Sequence, residues 1–140
     1  MVIKIILLDT GVIAAFFNKR DLNHDNAKKL LNNLRRNEYG TGIITDYILD
    51  ETVTLLYART RREDLALKAG ELILEEKFGK FFPISYELVI ESWKNYQNYV
   101  SKGLSFTDCT LITVGQFLDC NVLLTFSKEF TGLVNIINSA

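Results

Sequence analysis

The stretch Ile3-Lys4-Ile5-Ile6-Leu7-Leu8-Asp9-Thr10-Gly11 decides the fold. Residues 3–8 are nearly all β-branched or leucine, without the apolar–polar alternation of a half-solvated strand. Such a run suits a parallel strand buried on both faces. At Asp9 the pattern changes. Val12, Ile13, Phe16 and Phe17 recur at helical spacing, so a strand passes through one acid into a helix. Ligands of open α/β sheets bind beyond the carboxyl ends of the strands, and Asp9 stands at such an end.

The rest of the chain repeats this alternation. Ala27, Leu30, Leu31 and Leu34 mark an amphipathic helix over 24–37, followed by a short strand over 42–45. Helices over 46–60 and 63–77 follow, the second with Leu65, Leu67, Ala69, Leu72 and Ile73 as its apolar positions. Residues 81–84, which contain the sole proline, Pro83, suit a strand. Ser85 caps a helix running towards Val100. A helix over 106–118, a strand over 122–125, a turn or short helix near 127–130 and an edge strand over 133–137 complete the pattern. Strands alternating with helices imply an α/β fold, a three-layer α/β/α sandwich around a central, mainly parallel sheet. With 140 residues and no repeat or linker, residues 1–140 form one domain.

The formal net charge of −1 is not that of a strongly basic nucleic-acid binder, though a local basic face is enough to attract phosphates. The apolar start is interrupted by Lys4 and Asp9 and lacks the basic and cleavage segments of a secretion signal. It is also too short and too charged to cross a bilayer, so a cytoplasmic protein is expected. Cys109 and Cys120 have no metal-site spacing and are expected as reduced thiols. The one histidine, His24, lies in a polar stretch and is expected at the surface. Histidine-rich zinc chemistry is therefore excluded, and carboxylates, hydroxyls, Lys/Arg or a thiol must carry any reaction.

Three acids sit where ordinary surface acids would not. Asp9 is either a helix cap or a ligand at the strand end. Glu51 neighbours Ile48 and Leu55 on a helix whose inward stripe is Ile48, Leu49, Val53, Leu55 and Leu56, so it lies at the stripe's edge, while Asp50 points to solvent. A half-inward glutamate is costly unless paired or bound to a cation. Asp108 stands in Ser105-Phe106-Thr107-Asp108, a capping-box pattern. It also heads the stripe Leu111, Ile112, Gly115 and Leu118, and capping does not exclude catalysis.

Taken together, Asp9 in Leu7-Leu8-Asp9-Thr10, Glu51 in Leu49-Asp50-Glu51-Thr52 and Asp108 in Leu104-Ser105-Phe106-Thr107-Asp108 resemble the first three acidic motifs of PIN-domain ribonucleases, in order and spacing. Thr125-Phe126-Ser127-Lys128-Glu129-Phe130 resembles the family's closing motif. The resemblance spans essentially the whole chain and is nearest to single-domain toxins of VapC-type toxin–antitoxin pairs. Ser127 departs from it, standing where the family commonly has a fourth aspartate. Serine supplies no negative charge, so a second metal site would be weaker, and Glu129 would need a different reach. Serine at this position also suits a helix N-cap.

The resemblance implies a metal-dependent endoribonuclease in which Asp9, Glu51 and Asp108 coordinate Mg²⁺ or Mn²⁺, directly or through water. Hard oxygen ligands suit both ions. Thr10, Ser105 and Ser127 are candidate supports or phosphate contacts. Arg59, Arg61, Arg62 and Lys128 are candidate RNA contacts, with Lys28, Lys29, Arg35 and Arg36 as further basic residues. The implied partners are an RNA substrate, a cognate antitoxin and a second copy of the chain. Phe16, Phe17, Leu30, Leu31, Leu34 and Tyr57 would be shared between core, dimer surface and antitoxin groove.

Three alternatives remain open at this level: a PIN-like module that binds RNA or protein without cutting, an RNA-maturation nuclease, and an α/β phosphatase or phospho-receiver. The last is disfavoured, because Gly11 stands where haloacid-type phosphatases need a second aspartate and Leu8-Asp9 lacks a receiver's acidic pair.

Overall fold

The structure, a computed structural model, describes residues 4–140. β1 (Ile5–Leu8) is the middle strand of a five-stranded, wholly parallel sheet of order β3-β2-β1-β4-β5. Ile3, expected to open this strand, lies outside the described residues. β1 leads into α1 (Thr10–Phe17) and α2 (His24–Arg35), which return the chain to β2 (Thr41–Thr45) beside β1. α3 (Asp46–Thr60) and α4 (Glu63–Leu74) lead to β3 (Lys80–Phe82) at one edge. α5 (Tyr86–Tyr99), a 3₁₀ turn (Val100–Lys102) and α6 (Phe106–Phe117) carry the chain to β4 (Val122–Leu124) on the other side of β1. A second 3₁₀ turn (Lys128–Phe130) precedes the edge strand β5 (Asn135–Ile137).

Side chains of β1 show why its sequence is apolar throughout. Ile6, Leu7 and Leu8 are all buried. Leu7 points at Gly115 of α6, whereas Leu8 points towards Gly42 and Leu34, on the α2 side. Helices therefore cover both faces, and the expected three-layer sandwich is the one observed.

The ends of elements differ from the periodic reading for local reasons. α2 stops at Arg35, with Asn37 in the left-handed conformation just beyond it. α4 stops at Leu74 rather than 77. Glu76 adopts φ 58°, and the amide of Lys77 returns to the Leu72 carbonyl, which turns the chain so that Phe78 enters the core. Leu67, one of this helix's apolar positions, is 66% exposed. β3 covers Lys80–Phe82, not 81–84: Pro83 has no amide to continue the ladder, and the Ile84 amide donates to Asp46 Oδ1 at 3.0 Å instead. In α3 the buried positions are Ile48, Thr52 and Leu56, so the stripe centres on Thr52 rather than Val53.

Phe16 and Phe17 pack edge-on against Phe78, with centroids 5.5 and 6.0 Å away. Leu30, Leu31 and Leu34 are core residues. Of the residues assigned to a shared core and partner surface, only Tyr57 is exposed. No helix among the described residues is long and apolar enough to cross a membrane. Cys109 is a buried free thiol and Cys120 a half-buried one.

Gly115 lets α6 lie against the sheet. A Cβ there would stand 2.5 Å from the Cys120 carbonyl oxygen and 3.3 Å from Leu7 Cδ1. The nearer neighbour is backbone and cannot swing aside. Gly115→Ala should therefore destabilise the protein by about 1–3 kcal/mol, read as a lower urea midpoint at unchanged m value.

Candidate active site

The end of β1 carries the first functional side chain. The Asp9 amide donates to the Leu124 carbonyl at 3.0 Å, so the residue is still fixed by the sheet as the chain turns into α1. Its Oδ1 accepts from the Thr10 amide at 2.8 Å, and its Oδ2 accepts from the Thr125 hydroxyl at 2.6 Å. Cap and functional group coincide in one carboxylate. Asp9 is only 7% exposed, and none of the ion pairs among the described residues includes it. Burial pushes its carboxyl up to about 6. The Thr125 hydrogen bond opposes that rise, repulsion from Asp108 adds to it, the Thr10 amide opposes it, and Glu51 adds further.

Glu51 reaches the same place from α3. It is half-buried, as expected at a stripe edge, while Asp50 is exposed. Its Oε1 accepts from the Thr10 hydroxyl at 2.6 Å. Thr10 thus holds Asp9 through its amide and Glu51 through its side chain.

Asp108 comes from the first turn of α6. The capping box is present: the Ser105 hydroxyl accepts from the Asp108 amide at 3.0 Å, and the Ser105 amide donates to Asp108 Oδ2 at 2.9 Å. Partial burial raises the Asp108 carboxyl, the Ser105 hydrogen bonds oppose this, and Glu129 adds repulsion. Asp108 is thus capped and still near enough to Asp9 and Glu129 for mutual repulsion.

Ser127 occupies the N-cap position of the second 3₁₀ turn, yet its side chain makes no cap bond. Its amide donates to Thr125 Oγ1 at 3.0 Å, and its hydroxyl donates to Glu129. That hydroxyl bond holds the Glu129 carboxyl below the usual range. The fourth position carries no acid of its own, but its serine anchors one that faces Asp108.

Thr125 is not legible from the sequence as a site residue, and Glu129 is legible only as a nearby acid that needs a different reach. The signal for Thr125 was the register: Leu8 pairs with Leu124, so the residue after each strand end is the other's neighbour.

The donor set is oxygen only. His24 is not a surface residue as expected: it is half-buried, and its Nδ1 lies 2.7 Å from the Ala15 carbonyl oxygen. The Cys109 thiol, beside Asp108, is pushed up to about 11 by burial and then by the Asp108 charge, so it stays protonated. Among the described residues no three carboxylate, imidazole or thiol groups close into a finished metal cage. Carboxylates without cationic partners, two of them bonded by threonine hydroxyls, fit a hard divalent cation that keeps part of its water shell.

The basic residues are not all at this centre. Arg59 and Arg62 line a separate cavity at the far ends of α1 and α3. Arg61 lies over the Tyr57 ring, 5.6 Å from its centroid. Lys128 is exposed beside Ser127, and Lys28, Lys29, Arg35 and Arg36 are exposed on or after α2.

The raised Asp9 carboxyl makes a stability prediction. Its folded value of about 6 exceeds the ordinary 3.8, so the folded chain binds this proton more tightly than the unfolded chain. The corresponding stability is fully present below about pH 4, is lost as pH rises through about 6, and stays lost above. The loss is about 3 kcal/mol. Asp9→Asn should therefore stabilise the chelator-treated protein above pH 6 by up to that amount and by much less near pH 4, measured by urea unfolding at both pH values.

Several known proteins resemble this chain along most of its length. A VapC ribonuclease of Archaeoglobus fulgidus is 25% identical over 126 residues, covering 89% of this chain and 78% of that protein. The crystal structure of Mycobacterium tuberculosis VapC20, a sarcin–ricin loop cleaving toxin, superposes with a TM-score of 0.84 at 22% identity, over 96% of this chain and 99% of that one. VapBC2 from Rickettsia felis, bound to a DNA fragment from its promoter, gives a TM-score of 0.70 at 16% identity, over 97% and 99%. At such identities the two structures speak for the fold. Residues 6–133 match the family model for the PIN domain, and the chain belongs to the PIN domain family.

Proposed function

We propose that the protein is a divalent-metal-dependent endoribonuclease, the toxin of a type II toxin–antitoxin pair, acting in the cytoplasm. One observation carries this reading. Asp9 is an almost fully buried carboxylate without a cationic partner, at the carboxyl end of the central strand, repelled by both Asp108 and Glu51. A site that keeps such repulsion in the free protein is organised for a cation.

Asp9, Glu51 and Asp108 would hold Mg²⁺ or Mn²⁺, with Glu129 beside Asp108. When bound, the ion supplies Lewis-acid activation of water and neutralises charge on the phosphodiester. The chain's own residues prepare the site. Thr125 donates to Asp9 and favours its ionised form; Thr10 orients Glu51; Ser105 fixes the Asp108 rotamer through both halves of the capping box. Lys128, exposed beside Ser127, would meet a phosphate.

Two features support the partner assignments. Some structural relatives are toxin–antitoxin complexes, one of them from Klebsiella pneumoniae. Val53, Tyr57, Ala66, Leu67 and Leu74 also line an open, largely apolar groove between α3 and α4 that a protein segment or a second copy would cover. The lack of an acid at 127 is the observation favouring the second reading, an RNA-binding PIN module without cleavage.

Defined RNAs incubated with wild type and Asp108→Asn, each with Mn²⁺ and with chelator, separate the two. Cleavage by wild type with Mn²⁺ alone is expected, and Asp108→Asn should lower kcat/KM by roughly a hundredfold, about 2.7 kcal/mol. Equal activity in all four conditions, or none in wild type, overturns the nuclease reading.

Thr125→Val tests the support of Asp9. Removing the donor should cost about ten- to a hundredfold in metal affinity or activity. It should also move the acidic limb of the pH–rate profile to higher pH, because the lost hydrogen bond favoured the carboxylate. An unshifted profile would show that Thr125 only packs.

A further inference from the structure

A cavity of about 460 Å³ at the far ends of α1 and α3 is lined by Lys19, Arg20, Arg59 and Arg62, with Asn18 and Thr60 between them and Phe17 and Leu65 as an apolar wall. We propose that it is a second RNA site, which takes backbone phosphates of the substrate a few nucleotides from the cleavage point. The inference rests on RNA being the substrate, the reading given above.

Local backbone structure brings these cations together. α1 ends at Asn18, whose amide still bonds the Ala14 carbonyl and whose Oδ1 accepts from the Arg20 amide at 3.1 Å. This tight turn presents Lys19 and Arg20, both exposed. At the end of α3, Thr60 donates to the Leu56 carbonyl and accepts from the Arg62 amide, while Arg61 takes φ 55°. That left-handed residue reverses the chain and sends Arg62 back towards α1, whereas Arg61 itself leans on Tyr57.

The positive charge is only partly answered. No carboxylate lines the cavity among the described residues. Asp64 pairs with Arg62 at 2.6 Å, and Asp21 stands 3.9 Å from Arg59. Lys19 and Arg20 are in none of the ion pairs among the described residues. Asp64 occupies the Arg62 fork through two hydrogen bonds, but guanidinium forks such as those of Arg20 and Arg59 match phosphate oxygens, and several cations spread around one open mouth fit consecutive phosphates better than one small anion. From Thr10 to Phe17 along α1 is about 10 Å, and from Glu51 to Thr60 along α3 about 14 Å. The site is therefore apart from the carboxylates but within reach of one RNA chain.

The test uses Asp9→Asn protein, so that RNA is bound without being cut, and a fluorescein-labelled oligouridylate long enough to span both sites. Adding Lys19→Ala and Arg20→Ala should weaken binding roughly tenfold or more at low salt and flatten the plot of log Kobs against log salt by about 1–2. Arg59→Ala should add to the loss, and Arg59→Lys should restore most of it. The defect should be larger for the long RNA than for a labelled dinucleotide. An unchanged dissociation constant and slope would overturn the inference, as would unchanged RNA binding with release of a co-purified acidic protein. Because no cleavage is needed, failure here is distinguishable from failure of the nuclease reading.

Discussion

A carboxylate buried without a cation at the end of the middle strand is the constraint around which this domain is arranged. Removing a charge from water is expensive, and Asp9 bears that cost with two hydrogen bonds, from the Thr10 amide and the Thr125 hydroxyl. Each depends on a different part of the fold. The Thr10 amide is available because the chain turns directly into a helix whose first amides lack internal partners. The Thr125 hydroxyl is available because β4 lies beside β1 in the register Leu8 with Leu124. The doubly wound strand order thus places the end of a distant segment next to Asp9.

The same network spreads to the other site residues. Thr10 passes from Asp9 to Glu51, tying α1 to α3, and Thr125 passes from Asp9 to the Ser127 amide. Asp108 stays outside this chain of bonds and is held by its own capping box. Asp9 and Glu51 are therefore positioned through one shared threonine, and Asp108 by a separate device at the start of α6. Such positioning sustains mutual repulsion, because no side chain can relieve it by swinging into solvent without giving up its own hydrogen bond.

This division explains what the sequence disclosed. Asp9, Glu51 and Asp108 were legible because each disturbs a local pattern: an acid ending an apolar run, an acid at a stripe edge, an acid in a first turn. The three-layer fold was legible from β1, whose continuous apolar run demands cover on both faces. Thr125 was not, because its meaning lies in pairing with a residue 116 positions away. Glu129 was hidden by Ser127: the expected fourth acid is absent at one position, and a serine hydroxyl anchors a carboxylate two residues on. The exposure of Leu67 was also invisible, since α4 has apolar residues on more than one side and only its packing on α3 selects Ala69 and Ile73 for the core.

The acidic centre and the basic cavity are arranged so that neither spoils the other. A phosphate approaching Asp9, Glu51 and Asp108 before a cation is bound meets like charge, and a basic patch directly beside them would neutralise the acids instead of holding substrate. Along α1 and α3 the two groups are about 10–14 Å apart, beyond the Debye length of about 8 Å at physiological ionic strength. Salt therefore weakens their mutual field where it passes through solvent, and weakens it less through the protein around the buried Asp9. On the proposed reading, the cavity would hold RNA while Asp9 keeps a buried charge without a cationic side chain beside it. An almost neutral chain, at −1, can still carry an acidic centre and a basic cavity, because the two groups stand at opposite ends of α1 and α3.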